Sequence, residues 1–127
     1  MKALIKEYEI SAPKDRVYEA LTQLDLIAAW SGSEVEMNLN PGGDFSLWNG
    51  SVYGHNLEIT PDRIVQDWQE ESWEKPSKVV FTLKAKGNGT VLQVIHNGIP
   101  DKSFQGINLG WDEDYLKPLK NLVESME

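Results

Sequence analysis

The amino-acid sequence predicts an α+β domain in which a curved antiparallel sheet of six or seven strands wraps around a long C-terminal helix. Three observations lead to this fold class. Apolar and polar residues alternate along several short segments, two short helical patterns follow the first segment, and the chain ends in one long amphipathic helical pattern. Because 127 residues suffice for one hydrophobic core, we expect a single domain over residues 1–127.

The N-terminal region is predicted to contain one strand and two helices. Apolar residues alternate along residues 2–11, which indicates the first strand. Pro13 suits the first turn of a helix, because its missing N–H is not needed there. A helical apolar period then predicts the first helix over residues 13–22, and a second helix over residues 25–30 is expected to end near Gly32.

The central region is predicted to be a series of antiparallel strands joined by short turns. The strands are expected at residues 34–39, 44–48, 51–59, 63–70, 78–86 and 90–97. Asn49-Gly50 predicts a two-residue hairpin, because both residues tolerate positive φ. The hairpin phase puts Gly54 opposite Phe45, and a bulge near Gly54 would reverse the faces beyond it. Gly87-Asn88-Gly89 is expected to join the last two strands.

The C-terminal region is predicted to be a helix over residues 109–126, preceded by a polar loop. Its length of about 27 Å equals the width of five or six strands. Its apolar stripe comprises Trp111, Tyr115, Leu119, Leu122 and Met126. Pro118 removes one backbone hydrogen bond and is expected to kink the helix. The acidic residues 112–114 are interpreted as a charge cluster at the positive end of the helix dipole.

Composition excludes several classes of function. The chain has no cysteine, which excludes disulfides, thiolate zinc sites and cysteine nucleophiles. Its formal net charge of -8 opposes binding to nucleic acid and to anionic lipid. No segment approaches the roughly 18 apolar residues of a membrane span. We therefore predict a cytoplasmic protein with neither nucleic-acid nor membrane partners.

No pattern of residues predicts catalysis, a metal site or a cofactor. The two histidines, His55 and His96, lie about forty positions apart in different strands, so they cannot form a helical metal-ligand pair. Acids 112–114 diverge around the helix and cannot converge on one substrate. There is no nucleophile elbow and no phosphate-binding loop. His96 shares a strand face with Leu92 and Val94 and is expected to point towards the mouth of a cavity between sheet and helix, where it could donate a hydrogen bond or titrate near neutrality. A satisfied structural histidine is the favoured interpretation.

A series of motifs resembles a known family. The motifs are Val17–Leu21, Trp30, Gly42–Phe45, Gly54, Pro61, Ile64, Trp68, Gly89-Thr90 and Gly110-Trp111. From about Ile5 to Val123 the chain resembles the C-terminal domain of the activator of heat-shock protein 90 ATPase, in the START-like SRPBCC superfamily. Ser72-Trp73 and Gly98-Ile99-Pro100 resemble features of the eukaryotic co-chaperone. The resemblance implies a helix-grip fold with a cavity between sheet and helix. The eukaryotic activator has a separate N-terminal domain, whereas this chain begins at the first strand of the grip.

The faces of the strands and of the long helix predict which residues line that cavity. The predicted residues are Trp30, Phe45, Leu47, Ile64, Gln66, Trp68, Phe81, Leu83, Leu92, Val94, His96, Trp111, Tyr115 and Leu119. Gln66 needs a polar partner there, which is water, His96 or a ligand. In the alternative interpretation the aromatic rings fill the space and leave no void.

Three functions follow from these observations. The first is a non-enzymatic carrier or sensor that binds a small apolar molecule in the cavity. The alternative, implied by the resemblance, is a chaperone cofactor that binds heat-shock protein 90 and stimulates its ATPase. The third is an enzyme that acts in the cavity through His96 or a nearby acid.

Overall fold

Seven antiparallel strands join in one sheet in the computed structural model, which describes residues 1–126. The strands are β1 (Lys2–Ile10), β2 (Glu36–Met37), β3 (Gly43–Leu47), β4 (Val52–Ile59), β5 (Arg63–Gln69), β6 (Ser77–Lys86) and β7 (Gly89–Ile99). Their order across the sheet is β1-β7-β6-β5-β4-β3-β2. Each strand from β2 to β7 therefore pairs with its neighbour in sequence, and β1 pairs with β7.

Two short helices and one long helix complete the fold. The short helices are α1 (Lys14–Thr22) and α2 (Leu24–Ser31), and Gly32 ends α2 in the left-handed conformation with φ 66°. The long C-terminal helix consists of α3 (Phe104–Gly110), a π-helical segment (Trp111–Leu116) and α4 (Lys117–Ser125), after a 3₁₀ turn at Asp101–Ser103. The predicted fold class is confirmed. None of the helices in residues 1–126 combines the length and apolar character that crossing a bilayer requires.

The hydrophobic core lies between the concave face of the sheet and the C-terminal helix. Alternate residues of the central strands point into it, including Val79, Phe81 and Leu83 of β6. Leu119 of α4 and Leu116 meet them from the helix, and all five side chains are at most 1% exposed. Burying side chains of this size stabilises the fold by about 1.5–3 kcal/mol each. The interior beneath Leu116 and Leu119 is therefore fully packed.

The C-terminal helix begins earlier than predicted, at Phe104 instead of Leu109. Gly106 and Gly110 have low helix propensity, which made this segment resemble a loop in the sequence. Its helical conformation is instead supported by tertiary packing, because Phe104 and Ile107 pack partly buried against the core. The prediction that acids 112–114 mark the start of the helix is therefore wrong.

Asp112 shows what one of these acids does instead. Lys6 Nζ and the Tyr8 hydroxyl donate to its two oxygens at 2.8 and 2.7 Å. Burial alone would raise the pKa of Asp112, but the hydrogen bonds from Lys6 and Tyr8 outweigh it and hold the pKa below its usual value. Asp112 thus ties the middle of the C-terminal helix to β1.

The irregularity that Pro118 predicts takes the form of the π-helical segment that precedes it. Proline lacks an N–H, and its ring excludes the carbonyl four residues earlier. A π-helical segment, Trp111–Leu116, opens the hydrogen-bond ladder just before Pro118, and α4 runs through the proline from Lys117 to Ser125. The helix therefore continues across the proline.

The turn between β3 and β4 differs from the prediction. Leu47 pairs with Val52, so four residues form the loop, with Trp48 and Asn49 both at positive φ. The predicted two-residue turn at Asn49-Gly50 is wrong, because the asparagine binds elsewhere. Its N–H donates to the carbonyl of Glu34 at 3.1 Å, and its Oδ1 accepts from the N–H of Glu34 at 2.9 Å.

The other register predictions divide similarly. Phe45 pairs with Gly54 as predicted. The register shifts between Asn56 and Glu58, so the strand contains a bulge of the kind that sequence analysis left open near Gly54. Lys86 pairs with Gly89, which makes the last hairpin turn one residue tighter than predicted. Strand β2 is shorter than predicted, because Glu34 bonds to the β3–β4 turn instead of a neighbouring strand.

Candidate functional site

An open groove of about 480 Å³ lies beneath the N-terminal half of the C-terminal helix. Its lining residues come from the β3–β4 turn, the ends of β4 and β5, and one face of the helix. They are Trp48, Ser51, Val52, Trp68, Glu70, Lys102, Ser103, Gly106, Ile107, Gly110, Trp111, Asp114 and Tyr115. We call this site the aromatic groove, because four of its residues carry large rings.

The four rings pack together at the base of the groove. Trp68 and Trp111 are stacked, with ring centroids 4.7 Å apart and planes inclined by 24°. Tyr115 lies 4.7 Å from Trp111. Trp48 stands edge-on to Trp68 and Tyr115, at 6.3 and 6.2 Å. Trp68 and Trp111 are 2% exposed, whereas Trp48 is only half-buried, so Trp48 offers most ring surface to the groove.

The fourteen residues predicted to line a cavity divide into two groups. Trp68, Trp111 and Tyr115 line the groove. The others are at most 7% exposed and pack behind it, namely Trp30, Phe45, Leu47, Ile64, Gln66, Phe81, Leu83, Leu92, Val94, His96 and Leu119. Both interpretations of the aromatic residues therefore apply, in different places: rings fill the centre of the domain and leave a groove open at one end. That the lining residues contact a ligand stays a prediction.

A chain of buried amides holds Trp68 in place. Its indole N–H donates to Gln66 Oε1, Gln66 Nε2 donates to Asn56 Oδ1, and Asn56 Nδ2 donates to the carbonyl of Asn38, each at 2.8 Å. Gln66 is thus satisfied by protein groups. The expectation that water, His96 or a ligand would satisfy it is wrong. Sequence analysis did not identify Asn56 as the partner of Gln66, because the bulge that follows Asn56 made the faces of this strand uncertain.

A second buried chain holds Trp111. Its indole N–H donates to His96 Nδ1 at 3.0 Å, so the histidine carries its proton on Nε2. Nε2 donates to Ser77 Oγ at 2.7 Å, and Ser77 donates to the carbonyl of Trp68 at 3.1 Å. The rings of Trp68 and Trp111 are therefore both fixed by hydrogen bonds.

His96 does not reach the mouth of the groove. Its side chain is 0% exposed, and burial lowers its pKa to about 4. The geometry is that of a satisfied structural histidine, which was the favoured interpretation, and the orientation towards the mouth with titration near neutrality is wrong. The sequence could not exclude the other orientation, because strand alternation gives the face of a residue and not its depth along the sheet.

Trp48 is the main groove residue that sequence analysis missed. The hairpin prediction made it the last residue of a strand, whereas it adopts a left-handed backbone conformation with φ 51°. Such a conformation is an outlier for a bulky residue and costs of order 1–3 kcal/mol. The two hydrogen bonds between Asn49 and Glu34 hold the turn in this conformation. The strain places the indole of Trp48 over the groove.

Two glycines make the helical wall of the groove smooth. Gly106 and Gly110 lie one turn apart on the C-terminal helix and both line the groove. A Cβ added at Gly106 would meet nothing within 4 Å, and one at Gly110 would only touch Asp114 Oδ2 at 3.5 Å. Packing therefore does not require glycine at either position, although each costs roughly 0.5–1 kcal/mol of helix stability relative to alanine.

Charged side chains stand at the rim of the groove. Glu70, Asp114 and Lys102 line it, and no hydrogen bond or ion pair within residues 1–126 engages their charged groups. Burial raises the pKa of Glu70 above its usual value. The rim thus carries two acids and one base. Among residues 1–126, no three histidine, aspartate or glutamate side chains lie together as metal ligands.

Comparison with known proteins identifies the family. The sequence model of the family described as "Activator of Hsp90 ATPase homolog 1-like protein" matches residues 11–124. The chain belongs to this family. A Dictyostelium discoideum protein named "Activator of 90 kDa heat shock protein ATPase homolog" is 30% identical over 121 residues, which cover 92% of this chain and 31% of that protein. The Homo sapiens protein named "Activator of 90 kDa heat shock protein ATPase homolog 1" is 25% identical over 122 residues, which cover 94% of this chain and 36% of that protein. The chain thus spans about a third of the length of these relatives.

Solved structures support the same assignment. A crystal structure described as an HSP90 activator from Plasmodium falciparum superposes with a TM-score of 0.88 and 29% identity, covering 96% of each chain. The crystal structure of CalU16 from Micromonospora echinospora gives a TM-score of 0.83 and 27% identity, covering 97% of this chain and 76% of that one. The family and the helix-grip fold expected from the sequence motifs are therefore confirmed.

Proposed function

We propose that this protein binds a small apolar molecule in the aromatic groove and acts as a carrier or sensor. The observation that carries the proposal is the groove itself. Its volume of about 480 Å³ lies within the range of about 300–1,000 Å³ that small-molecule sites occupy. Its surface combines aromatic rings, Val52 and Ile107 with a few charged groups at the rim, which is the usual composition of such sites.

Two local costs in stability support the proposal. The left-handed backbone of Trp48 is strained, and Gly106 and Gly110 weaken the helix. Neither feature is needed to close the core, since all three residues border open space. Both features shape the groove: the backbone of Trp48 places a ring over it, and the two glycines leave its helical wall without side chains. A binding role explains why the two costs occur at the same place.

Binding without chemistry is the simpler proposal for this site. His96 uses both ring nitrogens in hydrogen bonds inside the core. Ser103, which lines the groove, accepts a hydrogen bond from the indole N–H of Trp73 at 3.0 Å. The family description names an activator of an ATPase and not a catalyst. We therefore assign no catalytic residue.

Filling the groove tests the proposal. Gly106→Phe directs a ring into open space, whereas Gly106→Ala is the matched control that leaves the groove open. Titration with the neutral fluorescent probe N-phenyl-1-naphthylamine is expected to give saturable binding to the wild type and to Gly106→Ala, and binding at least about tenfold weaker to Gly106→Phe. Absence of saturable binding to the wild type, or equal binding by all three proteins, would refute the proposal.

Family membership supports a second candidate function, that of a cofactor which stimulates the ATPase of an Hsp90 chaperone. The names of the relatives support this candidate, and the chain spans only about a third of those proteins. The test is the ATPase rate of a purified Hsp90 with and without the chain. Stimulation by both the wild type and Gly106→Phe would assign the activity to the outer surface. An unchanged rate would exclude this candidate for that chaperone.

A further inference from the structure

The hydroxyl group of Tyr115 is the exception among the buried polar groups of the core. The side chain is 3% exposed and its ring packs 4.4 Å from Trp30 and 4.7 Å from Trp111, yet its hydroxyl forms no hydrogen bond within residues 1–126. Buried tyrosine hydroxyls usually find a partner. The Tyr115 hydroxyl has no such partner within residues 1–126, and Tyr115 is one of the residues that line the groove.

The buried indoles show how consistently the rest of the fold satisfies such groups. Trp30 donates to the carbonyl of Ala20, Trp68 to Gln66, Trp73 to Ser103 and Trp111 to His96, all at 2.8–3.0 Å. No fully buried side-chain nitrogen or oxygen in the described residues lacks a partner. The Tyr115 hydroxyl therefore keeps some access to solvent, and Tyr115 is a lining residue of the groove.

We propose that the ligand of the aromatic groove is a neutral aromatic carbonyl compound whose oxygen accepts a hydrogen bond from the hydroxyl of Tyr115. This inference rests on the proposed binding function and names the class of ligand. A phenol donates more readily than it accepts, because its lone pair is delocalised into the ring, and a carbonyl oxygen is a pure acceptor. The carbonyl would point towards the base of the groove and the aromatic ring would lie against Trp48.

The charges around the site favour a neutral ligand. Burial raises the pKa of Tyr115, so the phenol remains a donor at physiological pH. Glu70 and Asp114 at the rim oppose an anion, with only Lys102 to offset them. A cation at the inner end would lie among apolar rings without a carboxylate partner, which costs desolvation energy.

A pair of ring-matched probes tests the inference. 2-Acetylnaphthalene carries the carbonyl, and 2-isopropenylnaphthalene has the same shape without the oxygen. Both are titrated by NMR into the wild type and Tyr115→Phe, following the indole N–H signals. The variant is expected to bind the ketone about threefold to tenfold more weakly and the hydrocarbon with unchanged affinity, because only the ketone loses a hydrogen bond.

The outcomes separate this inference from the proposed function. If Tyr115→Phe binds both probes more weakly by the same factor, or binds the ketone as tightly as the wild type does, the inference is overturned and the binding function stays intact. Failure of both probes to bind the wild type overturns the binding function as well. The carbonyl stretch of the bound ketone gives a test that needs no variant: it is expected at lower wavenumber than in hexane, and an unshifted band overturns the inference.

Discussion

The two halves of the C-terminal helix cover the same sheet but differ in what they leave beneath them. The α4 half, with the residues just before it, places Leu116, Leu119 and Val123 on the sheet, each at most 1% exposed. The α3 half presents Gly106, Gly110 and the partly buried Ile107 to an open groove. One helix therefore closes the core at one end and forms the wall of a binding site at the other. The π-helical segment joins the two halves and carries Trp111 and Tyr115, which belong to both.

The largest expected effect comes from the closed half. Leu119→Ala removes a side chain that is 0% exposed and should lower the free energy of unfolding by about 2–5 kcal/mol, because it leaves a cavity in a packed core. Ile107→Ala, in the open half, should cost less, because Ile107 is only partly buried and borders the groove. Chemical denaturation of both variants measures the contrast. Equal losses would show that the α3 half is as closely packed as the α4 half.

Acid should destabilise the protein through His96, which accepts a hydrogen bond from Trp111 in the π-helical segment between the two halves. Burial lowers the pKa of His96 to about 4, below the value of about 6.5 in the unfolded chain, so the unfolded state binds more protons between these pH values. The free energy of unfolding should therefore fall by about 3 kcal/mol as the pH drops from 7 to 4. Denaturation curves across this range test the sign, with His96→Gln as the control that removes this contribution. A slope that is unchanged in the variant would assign the acid sensitivity to carboxylates.

Loosening the β3–β4 turn should affect the groove more than the core. Asn49→Ala removes the acceptor for the N–H of Glu34 and puts alanine at a positive φ, which together should cost about 1–2 kcal/mol. Binding of N-phenyl-1-naphthylamine should also weaken while the variant remains folded, because Trp48 is no longer held over the groove. Urea denaturation and probe titration give the two values. Unaltered probe affinity would mean that the position of Trp48 does not depend on the turn.

The smallest expected effect has the opposite sign. Gly106→Ala should raise the free energy of unfolding by roughly 0.5–1 kcal/mol, because alanine favours the helix and its Cβ meets nothing. Gly54→Ala is the contrasting variant: its Cβ would lie 2.0 Å from the carbonyl oxygen of Asp67, so it should destabilise the sheet. Thermal unfolding of the two variants distinguishes a glycine kept for open space from one kept for close approach.

Sequence analysis predicted the elements better than it predicted the site. Alternation along the strands and the helical stripe gave the order of elements and the pairing of Phe45 with Gly54. The start of the C-terminal helix was missed because Gly106 and Gly110 lower its local propensity, and packing of Phe104 overrides that preference. Trp48 was missed because Asn49-Gly50 is a strong hairpin signal, and only the hydrogen bonds to Glu34 reveal a longer turn.

The sequence by itself determined the fold class, the family and which faces of the strands and helix are apolar, because these follow from periodicity and from the order of motifs along the chain. Tertiary structure alone decided where the interior is filled and where it is open. The reason is geometric: Trp30, Phe81 and Tyr115 come from distant parts of the chain, and the space they occupy depends on how their rings meet. The burial of His96, and the Tyr115 hydroxyl that forms no hydrogen bond within residues 1–126, depend on the same packing.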